Sequence, residues 1–277
     1  MTILLFNNRI YGLTKGQYSP TSEIGKITKS TPVGSLDHPF NPVSLALGAE
    51  GTFVARTIDS DRKHLTSVLT AATAHRGTSL VEIYQNCPIF NDGAFDAIKN
   101  PDSKANAIIP LVHDQPITFG TPGEDGIGTK GLIRNPTTGG IEVVEVAEVG
   151  IEQILVHDAH NPDPSTAFAI SRLTDSGYLN QSPIGIFRQV QRPAYDDLAR
   201  AQITTAKNEH TTTPTTASPT SSTTATPGPS PEKPLSPTHL RCGIIDSVVT
   251  ITLICIVSLV RESADGVQVH GFTKMSE

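Results

Sequence analysis

Thr2-Ile3-Leu4-Leu5-Phe6-Asn7-Asn8-Arg9-Ile10-Tyr11-Gly12-Leu13-Thr14-Lys15-Gly16-Gln17 runs an apolar segment straight into carboxamides, glycines, a hydroxyl and a lysine. Thr2 to Phe6 is short and apolar and stops at Asn7-Asn8, the pattern of a buried parallel strand whose carboxyl end opens into a polar loop. Such an opening also suits a diphosphate held with a hard cation. Mg²⁺ takes near-octahedral oxygen ligands, and the Asn8 carboxamide and the Ile10 main-chain carbonyl would supply two of them beside a carboxylate and phosphate oxygens. Gly12 and Gly16 let backbone amides come close to phosphate, and Lys15 brings a compact positive charge. The same residues also compose an ordinary turn with solvated Asn, Lys and Gln side chains, and the residues alone leave both readings open.

Outward from this stretch, helices and strands alternate. A Ser/Thr/Pro-rich loop covers Ser19 to Pro39, after which Asn41 is placed to cap a short helix from Pro42 to Leu47, stopped at Gly48. Thr52 to Arg56 reads as a second strand. Asp59 or Ser60 caps the next helix, in which Leu65, Val68, Leu69 and Ala72 recur at helical spacing before Gly77. Ser79 to Tyr84 is the third strand. This alternation predicts βαβ units, an α/β fold and a parallel sheet, with sites at the carboxyl ends of the strands. From about Pro110 to Arg200 the pattern loosens into a Gly-rich stretch at Gly120 to Gly140, a strand at Ile141 to Val146 and a helix at Pro164 to Leu173, expected as an extension packed on the sheet.

The composition bounds the function. At 277 residues, 37% hydrophobic and net charge −6, the chain has one substantial core and no Lys/Arg run that would track a phosphate backbone, so no nucleic-acid partner is expected. Cys87, Cys242 and Cys255 are odd in number and widely spaced, which suits a reducing cytoplasm rather than a disulfide framework. The first residues lack the basic and long apolar regions of a signal peptide. Thr211 to Thr238 is almost entirely Thr, Ser and Pro, the composition of a disordered segment. Ile244 to Val260 is mostly apolar and, at about 1.5 Å per residue, would barely cross a bilayer core of about 30 Å. A membrane is not the expected partner, and a tail that contributes nothing to chemistry is the plain alternative.

The string N-N-R-I-Y-G-L-T-K-G-Q-Y-S-P-T-S, residues 7–22, closely resembles the thiamine diphosphate loop of the β subunits of 2-oxoacid:ferredoxin oxidoreductases, the 2-oxoglutarate type above all. The resemblance runs through residues 2–203 and includes G-T-P-G-E-D-G-I-G-T from Gly120 and H-D-A-H-N-P-D-P from His157. It implies that Asn8 and the Ile10 carbonyl bind Mg²⁺ together with an aspartate of an upstream G-D-G motif. Tyr11, Gly12, Leu13 and Thr14 would line thiamine diphosphate, and Lys15 would meet the substrate. Cys87, in L-V-E-I-Y-Q-N-C-P, stands where the family has the fourth thiolate of a [4Fe–4S] cluster, the ligand type such clusters require; a lone buried cysteine is equally a small hydrophobe. Neither the G-D-G motif nor the other three family cysteines occurs upstream in this chain, so the amino-terminal half of the cofactor domain is expected to be missing and the chain alone inactive.

The resemblance therefore divides the chain into residues 1–100, the carboxyl-terminal part of a thiamine-diphosphate-binding domain; 101–203, the subunit's extension; 204–240, a disordered Thr/Ser/Pro-rich linker; and 241–277, an apolar tail. It implies oxidative decarboxylation of a 2-oxoacid to an acyl-coenzyme A, electrons passing to ferredoxin, at a site shared with an α subunit. No side chain here is an evident nucleophile, and catalysis of this kind belongs to the cofactors while the protein positions them. A non-redox thiamine diphosphate decarboxylase or synthase is the first rival, and an inactive fragment keeping the subunit-binding surface is the second. His157, Asp158 and His160 have close metal-ligand spacing, although a loop or capping segment is the favoured reading. His38 and His75 have no evident partner for general-base work. Glu124 and Asp125, and Glu142, Glu145 and Glu148, read as solvated acidic surface.

Overall fold

The computed structural model describes residues 1–174 and 179–212. The expectations for the Thr/Ser/Pro-rich segment beyond 212 and for the apolar run at 244–260 lie outside the described residues. The chain divides into a unit holding Met1–Ala194 and a second that starts at Tyr195.

In the first unit, β1 (Thr2–Asn7), β2 (Phe53–Ile58) and β3 (Ser79–Tyr84) are parallel neighbours in the order β1-β3-β2. Between them lie α1 (Pro42–Gly48) and α2 (Arg62–Ala74). The register sets Asn7 and Ile58 opposite Tyr84, one row at the carboxyl edge of the sheet. Asn41 caps α1 as expected, its side chain accepting from the Ser44 amide at 3.0 Å, with Pro42 at the first helical position. The cap of α2 is Asp61, not Asp59 or Ser60: Asp61 accepts from the His64 amide, while Asp59 accepts from the amide of Asn86.

Two short helices follow, α3 (Asp96–Lys99) and α4 (Pro101–Ala107), then β4 (Ile108–Leu111). The Gly-rich stretch expected to be loose is strand instead. β5 (Thr118–Pro122), β6 (Gly128–Arg134) and β7 (Ile141–Glu145) make a separate three-stranded antiparallel sheet. Next come α5 (Val146–Val149) and α6 (Ser165–Ser171), the second matching the helix expected at 164–173. β8 (Ser182–Gln189) then enters the main sheet between β2 and β4, antiparallel to β2 and parallel to β4. Residues beyond 100 thus do more than pack on the sheet, because they supply two of its five strands. Gly185 makes this possible: its φ is +142°, and a Cβ there would stand 2.5 Å from the Leu111 carbonyl oxygen of β4.

Strand alternation feeds two cores. From β2, Val54 packs with Val43, Leu47, Ile170 and Phe187 on one face, while Phe53 and Ala55 pack with Val68, Ala72, Val81 and Ile83 on the other. The second unit is described as α7 (Tyr195–Thr212), mostly exposed through Glu209, with Arg200 paired to Asp196 and Asp197 one turn earlier.

Candidate functional site

β1 delivers Asn7 and Asn8 at the carboxyl edge of the sheet, and the chain then turns through Arg9 in the left-handed region, φ +57°. A bulky side chain there is strained, on the order of 1 kcal/mol or more, unless its surroundings hold it. They do. The Arg9 amide donates to Asn7 Oδ1 at 3.1 Å, and Ser22 Oγ donates to the Arg9 carbonyl at 2.6 Å. The Arg9 guanidinium pairs with Glu23 at 3.1 Å, and its Nε donates to the Thr21 carbonyl. Burial alone would push the Glu23 carboxyl up, but hydrogen bonding and the charges of Arg9 and Lys26 outweigh it and hold the group below the usual carboxylate range.

Asn7 in turn is fastened to the interior. Its Nδ2 donates to Glu82 Oε1 at 2.7 Å and its Oδ1 accepts from Thr21 Oγ1 at 2.7 Å. Glu82, on β3, accepts from Arg56 Nε, on β2, at 2.7 Å, and both side chains are 1% exposed. Arg56 also donates to the Pro183 carbonyl and lies 5.2 Å over the Tyr84 ring and 5.5 Å over that of Phe187. Burial pushes the Tyr84 hydroxyl up to about 12. Asn7, Arg9, Thr21, Asn41, Arg56 and Glu82 line a small cavity of about 30 Å³. Charged residues inside the apolar runs F-V-A-R-T-I and S-L-V-E-I-Y were the signal for this pair, since such charges are buried only when matched.

Past Arg9, Tyr11 and Gln17 bridge to close a tight loop, with the Tyr11 amide donating to the Gln17 carbonyl and the Gly16 amide to that of Tyr11, both at 2.9 Å. Lys15 and Gly16 both have positive φ, +68° and +92°. Leu13, Thr14 and Lys15 are exposed at its tip and Tyr11 and Gly12 are half-buried. The seven residues named for the cation, the cofactor and the substrate, Asn8, Ile10 and Tyr11 to Lys15, thus share one loop. Asn8 Oδ1 accepts from the Ile10 amide at 3.3 Å. Cys87 is half-buried on the turn after β3, and that turn reaches the same loop: Asn91 donates to the Asn8 and Arg9 carbonyls at 2.9 and 3.3 Å.

The donor set fits a hard cation in part. The Asn8 carboxamide and the Ile10 carbonyl are neutral oxygen donors at the end of a parallel strand, and a carboxylate would have to join them. A [4Fe–4S] cluster does not fit on the Cys87 thiolate alone. Among the described residues no three His, Cys, Asp or Glu side chains are grouped to hold a metal ion. His157 is buried and donates Nε2–H to the Ile186 carbonyl at 2.7 Å, Asp158 accepts from the His160 amide, and the His160 ring packs edge-on against His113. That segment is a loop, as favoured. His75 bonds Thr52 at 2.9 Å and packs against Phe53, whereas His38 is exposed. Glu124, Asp125, Glu142, Glu145 and Glu148 are all exposed. Among the described residues no helix is long and apolar enough to cross a membrane.

Comparison with known proteins adds to this geometry. Residues 1–83 match the family described as thiamine pyrophosphate enzyme, C-terminal TPP binding domain. The 2-oxoglutarate oxidoreductase subunit KorB of Mycobacterium tuberculosis is 59% identical over 208 residues, covering 75% of this chain and 53% of that protein. The 2-oxoacid:ferredoxin oxidoreductase subunit beta of Saccharolobus solfataricus is 42% identical over 92 residues, covering 33% of this chain and 30% of its own length. A solved 2-oxoglutarate:ferredoxin oxidoreductase from Magnetococcus marinus, with 2-oxoglutarate, coenzyme A and succinyl-CoA bound, covers 76% of this chain and 57% of its own, at 25% identity and a TM-score of 0.49. The chain spans about half the length of the first of these relatives and less of the second.

Proposed function

This chain is homologous to the β subunits of 2-oxoacid:ferredoxin oxidoreductases, and from that premise we propose that it serves as the carboxyl-terminal part of such a subunit, acting on 2-oxoglutarate. Residues 1–100 belong on this reading to the thiamine-diphosphate-binding domain and 101–203 to its extension. The complete enzyme converts the 2-oxoacid and coenzyme A to an acyl-CoA and passes electrons to ferredoxin, with an α subunit completing the site, in the cytoplasm. The observation that carries the proposal is the loop after β1, where Asn8, Ile10 and the Tyr11–Lys15 segment are held together at the sheet edge within the matched residues 1–83.

Thiamine diphosphate supplies the carbanion chemistry by which a 2-oxoacid is decarboxylated. The chain's own residues bind and orient. The Asn8 carboxamide and the Ile10 carbonyl would hold Mg²⁺, with a carboxylate needed to join them. Tyr11, Gly12, Leu13 and Thr14 would line the diphosphate, whose charge main-chain amides and a hard cation would offset. Lys15, exposed at the loop tip, pairs with a carboxylate of the 2-oxo diacid. Cys87 would give one thiolate to a [4Fe–4S] cluster only where other thiolates joined it.

The test uses the assembled α and β subunits. Asn8→Ala is expected to raise the Mg²⁺ concentration needed to retain thiamine diphosphate by about tenfold, since a lost ligand in such a site costs roughly that factor or more. Retention that needs no Mg²⁺, or ignores this substitution, would sink the assignment. Cys87→Ser should abolish ferredoxin reduction by 2-oxoglutarate and coenzyme A; full decarboxylation with no use of ferredoxin in either protein would favour the non-redox decarboxylase.

A further inference from the structure

Asn91 sits on the turn after Cys87 and is 5% exposed. Its backbone amide donates to the Cys87 carbonyl at 2.9 Å, closing that turn. Its side chain points the other way, into the loop after β1. Nδ2 donates to the Asn8 carbonyl at 2.9 Å and to the Arg9 carbonyl at 3.3 Å, while Oδ1 accepts from Lys26 Nζ at 2.5 Å. Lys26 is itself paired with Glu23 at 3.0 Å, and Glu23 with Arg9. One carboxamide thus joins segments 83 residues apart in sequence. The carbonyls it holds flank the left-handed Arg9, and this residue fixes how Asn8 and Ile10 are turned relative to each other.

We infer that Asn91 is a positioning residue that locks the Cys87 turn and the Asn8–Ile10 turn into one rigid unit, so that cation binding at one is felt at the other. The inference rests on the thiamine diphosphate reading of the Asn8–Ile10 turn. Only a carboxamide meets the chemistry of the place, because two carbonyl oxygens require a donor while the lysine requires an acceptor. Aspartate is nearly isosteric and keeps the lysine's partner, but it would set a carboxylate against both carbonyls. A residue that merely filled space would be better replaced by Asp than by Ala. A positioning residue inverts that order.

Two measurements on Asn91→Asp and Asn91→Ala test the idea. In the full chain, hydrogen exchange at the Arg9 and Ile10 amides and the alkylation rate of Cys87, read on its own peptide by mass spectrometry, should both rise by about tenfold or more, further for Asp than for Ala. Amides of Val81 and Ile83 in β3 should be unchanged. A rise at one turn only, an equal rise in β3, or a milder effect for Asp than for Ala would each overturn the inference. In the assembled subunits, Asn91→Asp should raise the Mg²⁺ concentration for half-retention of thiamine diphosphate by about tenfold, and Asn91→Gln, which keeps the carboxamide, should recover part of it. Loosened turns with an unchanged Mg²⁺ response would overturn the inference. A wild-type assembly whose cofactor binding ignores Mg²⁺ would instead remove the thiamine reading and leave the clamp standing on the exchange data.

Discussion

Glu82→Gln is the substitution that most directly measures what the buried pair does. Glu82 and Arg56 are both 1% exposed and 2.7 Å apart, and Glu82 also accepts from Asn7 Nδ2 at 2.7 Å. Glutamine keeps the shape and one acceptor oxygen but leaves the Arg56 charge in the core with no anion, and it turns a donor toward either Arg56 or Asn7, which are donors themselves. Breaking one side of a buried ion pair costs about 3–5 kcal/mol, out of a total stability of about 5–15 kcal/mol for a typical domain. For a domain of this size each kcal/mol lowers Tm by about 2–4 °C, so a fall of roughly 6–20 °C is expected. Urea unfolding followed by circular dichroism gives the free energy, and a thermal scan gives Tm. The double substitution Glu82→Leu with Arg56→Met should recover most of the loss, because two charges then leave the interior together. A single-mutant loss below about 1 kcal/mol, or a double mutant no better than the single, would refute a tightly coupled pair.

Two further outcomes follow from the same physics. His157, His75 and His64 all have their pKa lowered, in each case by burial above all. The unfolded chain therefore binds protons first as pH falls below about 6.5, so stability is full above that pH and declines through the window down to the folded values. Thermal scans from pH 7.5 to 5.5 should show Tm falling, with a smaller slope in His157→Gln, and a flat profile would contradict the buried neutral imidazoles. Gly185→Ala would press a methyl to 2.5 Å from the Leu111 carbonyl oxygen at a φ of +142°, which should cost at least about 2 kcal/mol in urea unfolding; a neutral change would mean that β4 and β8 do not approach as described.

The first three strands and two helices were legible because their signals are local. Apolar runs of strand length, an Asn-Pro helix start and four residues at helical spacing do not depend on what lies across the sheet. Asp61 was misplaced by one or two positions because Asp59, Ser60 and Asp61 are all good caps, and only the hydrogen bond from the Asn86 amide shows that Asp59 is occupied elsewhere. β8 was not legible. Pro183 and Gly185 interrupt its pattern, and both are tolerated only because of how β4 and β2 lie beside it. β5 and β6 hid in a Gly-rich stretch for a similar reason, since Gly120, Gly128 and Gly131, which look like loop, are close-approach positions in a small antiparallel sheet.

The site shows the same division at finer grain. Asn8, Ile10 and Tyr11–Lys15 are contiguous, so a sequence can present them as one string. The residues that hold the string in shape come from β2, β3, the Thr21–Lys26 segment and the Cys87 turn, and they meet only once the sheet register is set. Arg9 makes the point most sharply. In sequence it is an arginine between two candidate ligands; folded, it is 5% exposed, left-handed and restrained through Asn7, Ser22, Glu23 and Asn91. Its strain is sustained by contacts with the end of β1, the Ser22–Glu23 segment and Asn91, and the first of these, through Asn7, is tied to the buried Glu82–Arg56 pair. The shape of the loop after β1 therefore depends on the core, while the core does not depend on the loop. A core substitution such as Glu82→Gln should loosen the Asn8–Ile10 turn at temperatures well below unfolding, and a loop substitution such as Asn91→Asp should leave the core intact.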